Sequence, residues 1–224
     1  MKRSIIYSVL LGTSLLAASA ALGFGQDGVL FTRTYKLGEK ASYTASHGMK
    51  DSAQPAETLD VDLTVTKALE EGAAELRVHF ANVHTSNPDD AGTPDLTLST
   101  AKHNMPAGFT PRDRTAEAAL PFLFLAASTV GKTVKVGDEE PMSWQSDLMG
   151  FEGSTKVLEI TTDKKRLKAL IKVKVNIQGN FAGDLTFTSN YDLADGSLIA
   201  STGQFVVGSL VQEFKFTRKR EGAQ

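Results

Sequence analysis

Between Leu167 and Leu193 the chain alternates apolar and polar residues at period two, and this constrains its fold more than any other feature. Leu167, Ala169, Ile171, Val173, Val175 and Ile177 hold the odd positions, while Lys168, Lys172, Lys174, Asn176 and Gln178 hold even ones. After Gly179-Asn180 the odd positions are again apolar at Phe181, Leu185, Phe187, Tyr191 and Leu193, opposite Asp184, Thr186, Thr188, Asn190 and Asp192. Successive side chains of a strand point to opposite faces, so this pattern gives each strand one dry and one wet side, as in antiparallel sheets. Two long antiparallel strands are expected to meet at the Gly-Asn turn.

The same reading extends in both directions. Leu59, Val61, Leu63 and Val65 alternate with Asp60, Asp62, Thr64 and Thr66, Glu70-Glu71-Gly72 turns the chain, and Ala74, Leu76, Val78 and Phe80 alternate with Glu75, Arg77 and His79. Residues 35–39 join two earlier strands, residues 194–197 form a tight turn into a strand from Leu198 to Val206, and Leu210, Phe214 and Phe216 line one face of a last strand. About ten strands joined by short turns make a meander. One segment departs from it. Thr110-Pro111-Arg112-Asp113 has the N-cap, first-turn proline and acidic residue of a helix start, with helix expected to about Ala119. Pro121 ends or restarts it, and residues 122–127 (FLFLAA) are apolar on every side, as a fully buried piece would be. Such a piece most simply plugs the concave face of a curved sheet. Residues 46–57 and 85–95 are turn-rich and read as exposed loops.

The N-terminus supplies an address. Lys2 and Arg3 precede an apolar run from Ile5 to Leu16, and the small residues from Ala17 to Gly25 suit a signal peptidase, so residues 1–25 read as a secretory signal cleaved between Ala20 and Gln26. The expected location is periplasmic or extracellular, with residues 26–224 forming one β-rich domain. Removing Lys2 and Arg3 leaves 22 basic against 26 acidic residues, a net charge of −4 that gives no electrostatic basis for holding nucleic acid. Cysteine is absent, which excludes thiol catalysis, cysteine metal sites, disulfides and a lipid-modified N-terminal cysteine, and leaves burial to supply the stability.

Motifs for chemistry are weak. His79 and His84 fall five apart on one strand and face opposite ways unless a bulge intervenes; Asp89, Asp90 and Asp95 lack the alternating register of a calcium loop. Gly131-Lys132-Thr133 resembles the end of a phosphate loop, yet Ala126 stands where that loop needs glycine and Thr133 opens a strand pattern. Ser99-Thr100-Ala101-Lys102 matches a serine acyl-transferase motif but continues a strand, where that motif must open a helix. No metal or cofactor is expected. Lys164, Lys165, Arg166, Lys168, Lys172 and Lys174, with Arg218, Lys219 and Arg220, form two basic clusters suited to weak contact with an anionic surface, or to a solvated sheet face whose lysines prevent edge pairing.

A resemblance enters through the turns. Residues 35–43 (YKLGEKASY), Leu120-Pro121, residues 134–138 (VKVGD) leading to Trp144, and Tyr191-Asp192-Leu193 with Asp195-Gly196 follow in an order similar to uncharacterised exported bacterial β-proteins, whose architecture resembles that of periplasmic lipoprotein carriers. That resemblance implies a curved antiparallel sheet cupping a helix and an acyl chain. The expected function is accordingly that of an envelope protein, not an enzyme, binding an apolar or acyl ligand in a concave sheet or incomplete barrel. Leu120, Phe122 and Phe124 would line the concavity, and Met142, Trp144, Met149 and Phe151 would form its mouth. Alternatives are a structural or interaction component whose same residues are plain core, a transmembrane barrel, and an enzyme with carboxylate or histidine chemistry assembled from distant strands.

Overall fold

The computed structural model describes residues 28–53, 56–84, 95–101, 106–110, 129–145, 149–163, 166–179 and 182–219. Among them are thirteen strands: β1 (Val29–Phe31), β2 (Lys40–Met49), β3 (Glu57–Ala68), β4 (Ala74–His84), β5 (Asp95–Thr100), β6 (Pro106–Thr110), β7 (Lys132–Val134), β8 (Glu139–Gln145), β9 (Met149–Asp163), β10 (Arg166–Gly179), β11 (Gly183–Asp192), β12 (Ser197–Val207) and β13 (Leu210–Arg218). Of the shortest, β1 and β7 fall where strands were expected, before residue 35 and from Thr133, whereas β6 was not expected and runs only five residues. Thr110, the expected N-cap, ends β6; the helix expected from there to Ala119 and the apolar piece after Pro121 otherwise lie outside the described residues, as does the signal segment. No helix of the described residues is long and apolar enough to cross a membrane.

Eleven strands form one antiparallel sheet in the order β6-β5-β4-β3-β2-β13-β12-β11-β10-β9-β8, and β1 pairs with β7 in a separate ribbon. The large sheet consists of two meanders, one running up the chain and one down it, joined where the first long strand meets the last. There Tyr43 pairs with Arg218, Ala45 with Phe216 and Met49 with Gln212. The two edges, β6 and β8, do not pair, so the sheet is open.

The alternation of β10 and β11 is realised as read: Ala169, Ile171, Val173, Val175 and Ile177 are buried on one side, and Leu185, Phe187 and Tyr191 pair beside them in register. One face is dry along β2–β5 and β8–β13, and its residues join a single core. A sheet of this width with one apolar face curls around that face. Glycine permits the tight approach the curl needs. At Gly153, facing inward, a Cβ would fall 2.7 Å from the Cα of Val175 on the neighbouring strand. The ribbon closes part of the hollow: Phe31 is fully buried, with its ring 5.4 Å from that of Tyr191.

The outer face carries Asp60, Asp62, Arg77, Lys172, Lys174, Glu213 and Lys215, interspersed with threonine and serine. A lipid-facing barrel wall has the reverse polarity. Two loop expectations need correction. Residues 46–49 and Glu57 belong to β2 and β3, so only 50–56 separate those strands, because cross-strand pairing overrides the turn-prone composition there. Asp95 opens β5 and contacts Arg77 Nε at 2.9 Å and His79 Nδ1 at 3.1 Å, whereas Asp89 and Asp90 lie outside the described residues. The bulge allowed for between His79 and His84 is present, with Asn82 at a φ of 51° and one extra residue on β4 opposite Leu59.

Candidate functional site

Directly paired residues in an antiparallel sheet share a face, so the register specifies what lines the concave side. One row crosses seven strands from β2 to β8: Met49, Gln212, Phe205, Leu185, Val175, Gly153 and Met142. The adjacent row runs from β3 to β9 through Glu57, His47, Phe214, Gly203, Phe187, Val173 and Thr155. A third, nearer the strand ends, holds Gly183, Ile177, Phe151 and Trp144. All three rows approach the end of the sheet marked by the β12–β13 turn at Gly208.

The two ends of the sheet differ. At the Gly196 end, Arg33 stacks over Tyr35 at 4.0 Å, pairs with Glu39 at 2.7 Å and donates to the Asp195 carbonyl at 3.3 Å. Burial opposes the Arg33 charge, but Tyr35 and Glu39 hold its pKa above the usual value. Burial pushes the Tyr43 phenol up to about 12 against the pull of Arg218 and Arg33, and its hydroxyl donates to the Leu198 carbonyl at 3.2 Å. Burial alone would raise the Asp195 carboxyl, yet the hydroxyl and amide of Ser197, with Arg33 and Arg218 nearby, hold it below the ordinary range. Gly196 turns the chain at a φ of 69°, and a Cβ there would sit 3.0 Å from the Arg33 Cα. The recess left among these groups has about 30 Å³, room for water and not for an organic ligand. This end is tied shut.

The Gly208 end is apolar and accessible. Phe205 and Phe214 are only half-buried on the concave side, where Phe214 meets Phe187 edge-on at 6.3 Å and Phe216 at 6.1 Å. Phe205 lies over Gly183, where a Cβ would come within 2.8 Å of its ring. At the rim, Met49 is 44% exposed and Leu210 60%, beside Val207. Polar groups sit among these side chains: Gln212 Nε2 lies 3.2 Å from His47 Nδ1, and His47 Nε2 lies 3.3 Å from Glu57.

Of the residues expected at a mouth, Met142, Trp144 and Phe151 come together on the inner face of the β8–β9 hairpin, at the open edge of the sheet. Trp144 stacks on Phe151 at 5.8 Å and is half-buried, while Met142 and Phe151 are buried. Met149 begins β9 opposite Gly179, the row beyond Phe151. Leu120, Phe122 and Phe124 lie outside the described residues. Sequence reasoning missed Phe205, Gln212, His47 and Met49 as a group because their strands meet only through the β2–β13 pairing. The placement of Gly203 and Gly183 beside phenylalanine on neighbouring strands is the local signal for it.

Three of the six described members of the basic clusters have carboxylate partners. Arg166 pairs with Asp192, Lys168 with Asp163 and Lys219 with Asp60. Lys172 and Lys174 lie on the outer face, and Lys164, Lys165 and Arg220 are outside the described residues. Lys132 of the phosphate-loop-like triplet pairs with Glu140, and Ser99 lies within β5, where its motif has no helix to open. Among the described residues no three His, Asp or Glu side chains form a metal-binding group.

Comparison with known proteins adds one structural likeness. No family model matches the chain, and no curated protein does. Among solved structures, a LolA superfamily protein from Nitrosomonas europaea is similar at 11% identity and a TM-score of 0.33, over 86% of this chain and 90% of that one.

Proposed function

We propose that this chain is an exported, non-enzymatic binding protein that holds one apolar or acyl chain along its concave sheet, entered from the Gly208 end. The observation that carries this reading is the unequal burial of the concave face. Val173 and Phe187 are sealed in the core, whereas Phe205, Phe214 and Trp144 on the same face stay half-buried and Met49 protrudes at the rim. A core that filled itself would seal these large side chains as well, because each half-exposed aromatic forfeits apolar burial worth about 25 cal/mol per Å². Methionine and aromatic side chains around a concavity suit a ligand that is apolar and variable in shape. Trp144, Phe151, Met142 and Met149 form the side of the mouth along β8 and β9, with Leu120, Phe122 and Phe124 completing the lining. The charged outer face favours this soluble arrangement over a transmembrane barrel. A structural or interaction role without ligand is the rival reading.

Native mass spectrometry of protein purified gently from its own envelope distinguishes the two. We expect a mature chain beginning between Ala21 and Gln26, carrying one adduct of lipid size that organic extraction removes. A bare chain that also takes up no acyl compound on incubation overturns the binding reading, and a membrane-bound chain retaining Met1 overturns export.

A further inference from the structure

We infer that the rim group of Glu57, His47 and Gln212 selects the polar end of the bound molecule, and that the preferred ligand is a single-chain amphiphile with a primary-amine head. The inference rests on the binding reading above and adds which head the site takes. The three residues come from three neighbouring strands, yet all occupy the concave phase: Glu57 pairs with His47, His47 with Phe214, and Gln212 with both Met49 and Phe205. Polar groups are thus set one residue from the half-buried rings that would hold a chain, at the end where it would emerge.

Their hydrogen bonds define what they can still accept. The Gln212 Nε2 can only donate, so its 3.2 Å contact uses His47 Nδ1 as acceptor, while His47 Nε2 faces Glu57 at 3.3 Å. His47 is used at both nitrogens. What remains is the rest of the Glu57 carboxylate, the Gln212 carbonyl oxygen and one amide hydrogen, a group rich in acceptors and negative in charge. The side chains of His47 and Glu57 are 32% and 33% exposed, open enough to meet a ligand and sheltered enough that an added charge-assisted hydrogen bond counts. An ammonium head supplies three donors and the complementary charge, whereas a carboxylate head meets like charge.

The test compares dodecylamine, dodecanol and dodecanoate, each below its solubility or micellar limit, by isothermal titration of the intact mature protein at neutral pH. We expect one site for each, with dodecylamine bound at least tenfold more tightly than dodecanoate and dodecanol between them. Glu57→Gln keeps the shape of the side chain, and should abolish the amine preference while leaving dodecanol affinity within twofold. A second measurement needs no variant: raising the ionic strength should narrow the amine-to-carboxylate ratio and leave dodecanol unchanged. Saturable dodecanol binding with equal amine and carboxylate affinities, or an amine preference that survives Glu57→Gln, overturns the head-group inference and leaves the apolar site standing. Failure of all three probes to saturate overturns the apolar site and this inference together.

Discussion

The ring of Phe214 lies across Gly203 of the neighbouring strand, its Cζ only 2.6 Å from where a Cβ at position 203 would be. The two residues are directly paired, so the glycine is the space that lets the ring lie flat along the concave face instead of standing away from it. Gly203→Ala should therefore displace the ring and strain the paired strands, costing about 1–3 kcal/mol as other overpacked sites do. Gly108, where a Cβ would meet nothing within 4 Å, is the control, and Gly108→Ala should change stability by less than about 0.5 kcal/mol. Urea unfolding of both variants checks this; equal effects would mean that Gly203 is not a spacer.

The phase of β10 is testable by a charge swap. Val173 is fully buried between Phe187 and Thr155, while Lys172 lies on the outer face. Val173→Lys places an unpaired charge in the core and should cost on the order of 4 kcal/mol or prevent folding, while Lys172→Val should stay within about 0.5 kcal/mol. Similar losses from both, measured by chemical unfolding, would refute the assignment of faces.

These two sites also mark how far the sequence reaches. Val173 was legible because period two is a local property, repeated on β10 and β11 and confirmed by every partner in their register. The pairing of β2 with β13 was not, because nothing within either strand encodes a partner some 165 residues away. The rim of Met49, His47, Gln212 and Phe205 depends wholly on that pairing. Bulges cost further legibility: the extra residue at Ile199 shifts the phase of β12, so that Leu198 and Phe205 fall on one face although their numbers differ in parity. The β8–β9 mouth was partly legible because Met142, Trp144 and Phe151 are near in sequence and pair through one hairpin.

The part-buried ion pair at the Gly196 end should matter more than its exposed counterparts. The Arg33 side chain is 12% exposed and depends on Glu39, so Glu39→Gln leaves a sheltered guanidinium without its counter-charge and should cost about 3 kcal/mol. Glu75→Gln breaks the exposed pair with Lys67 and should cost less than about 1 kcal/mol. Thermal unfolding of the two variants side by side decides this, and equal losses would mean that Arg33 is adequately solvated.

Tyr43 makes alkaline stability specific. Its pKa rises from 10.0 to about 12 on folding, chiefly through burial. A raised pKa means that the folded state keeps its proton where the unfolded chain has lost it. The contribution is therefore whole below pH 10 and is lost as pH rises toward 12, amounting to about 3 kcal/mol. Tyr43→Phe should lose about 1 kcal/mol at neutral pH with the bond to Leu198, then fall less steeply between pH 10 and 12. Parallel alkaline limbs for the two proteins would show that Tyr43 is not the group responsible.

The single tryptophan reports on the proposed ligand without a label. Trp144 is half-buried on the concave side of β8, stacked on Phe151, at the edge of the sheet where a chain lying across the hollow would pass. A lysophospholipid added below its micellar concentration should displace water from the indole and shift its emission to the blue. The shift should saturate at one equivalent, because a built site fills at fixed stoichiometry whereas adsorption does not. Phe205→Ala lies four strands away from Trp144 in the sheet and leaves its packing intact, so it should weaken the saturable response at least severalfold while the unliganded spectrum stays the same. Phe124→Asp tests the lining expected from the apolar segment in the same way, with circular dichroism confirming that each variant is folded. A shift that grows without limit, or one that Phe205→Ala leaves untouched, would mean that Trp144 senses its own hairpin and that the concave face holds no chain.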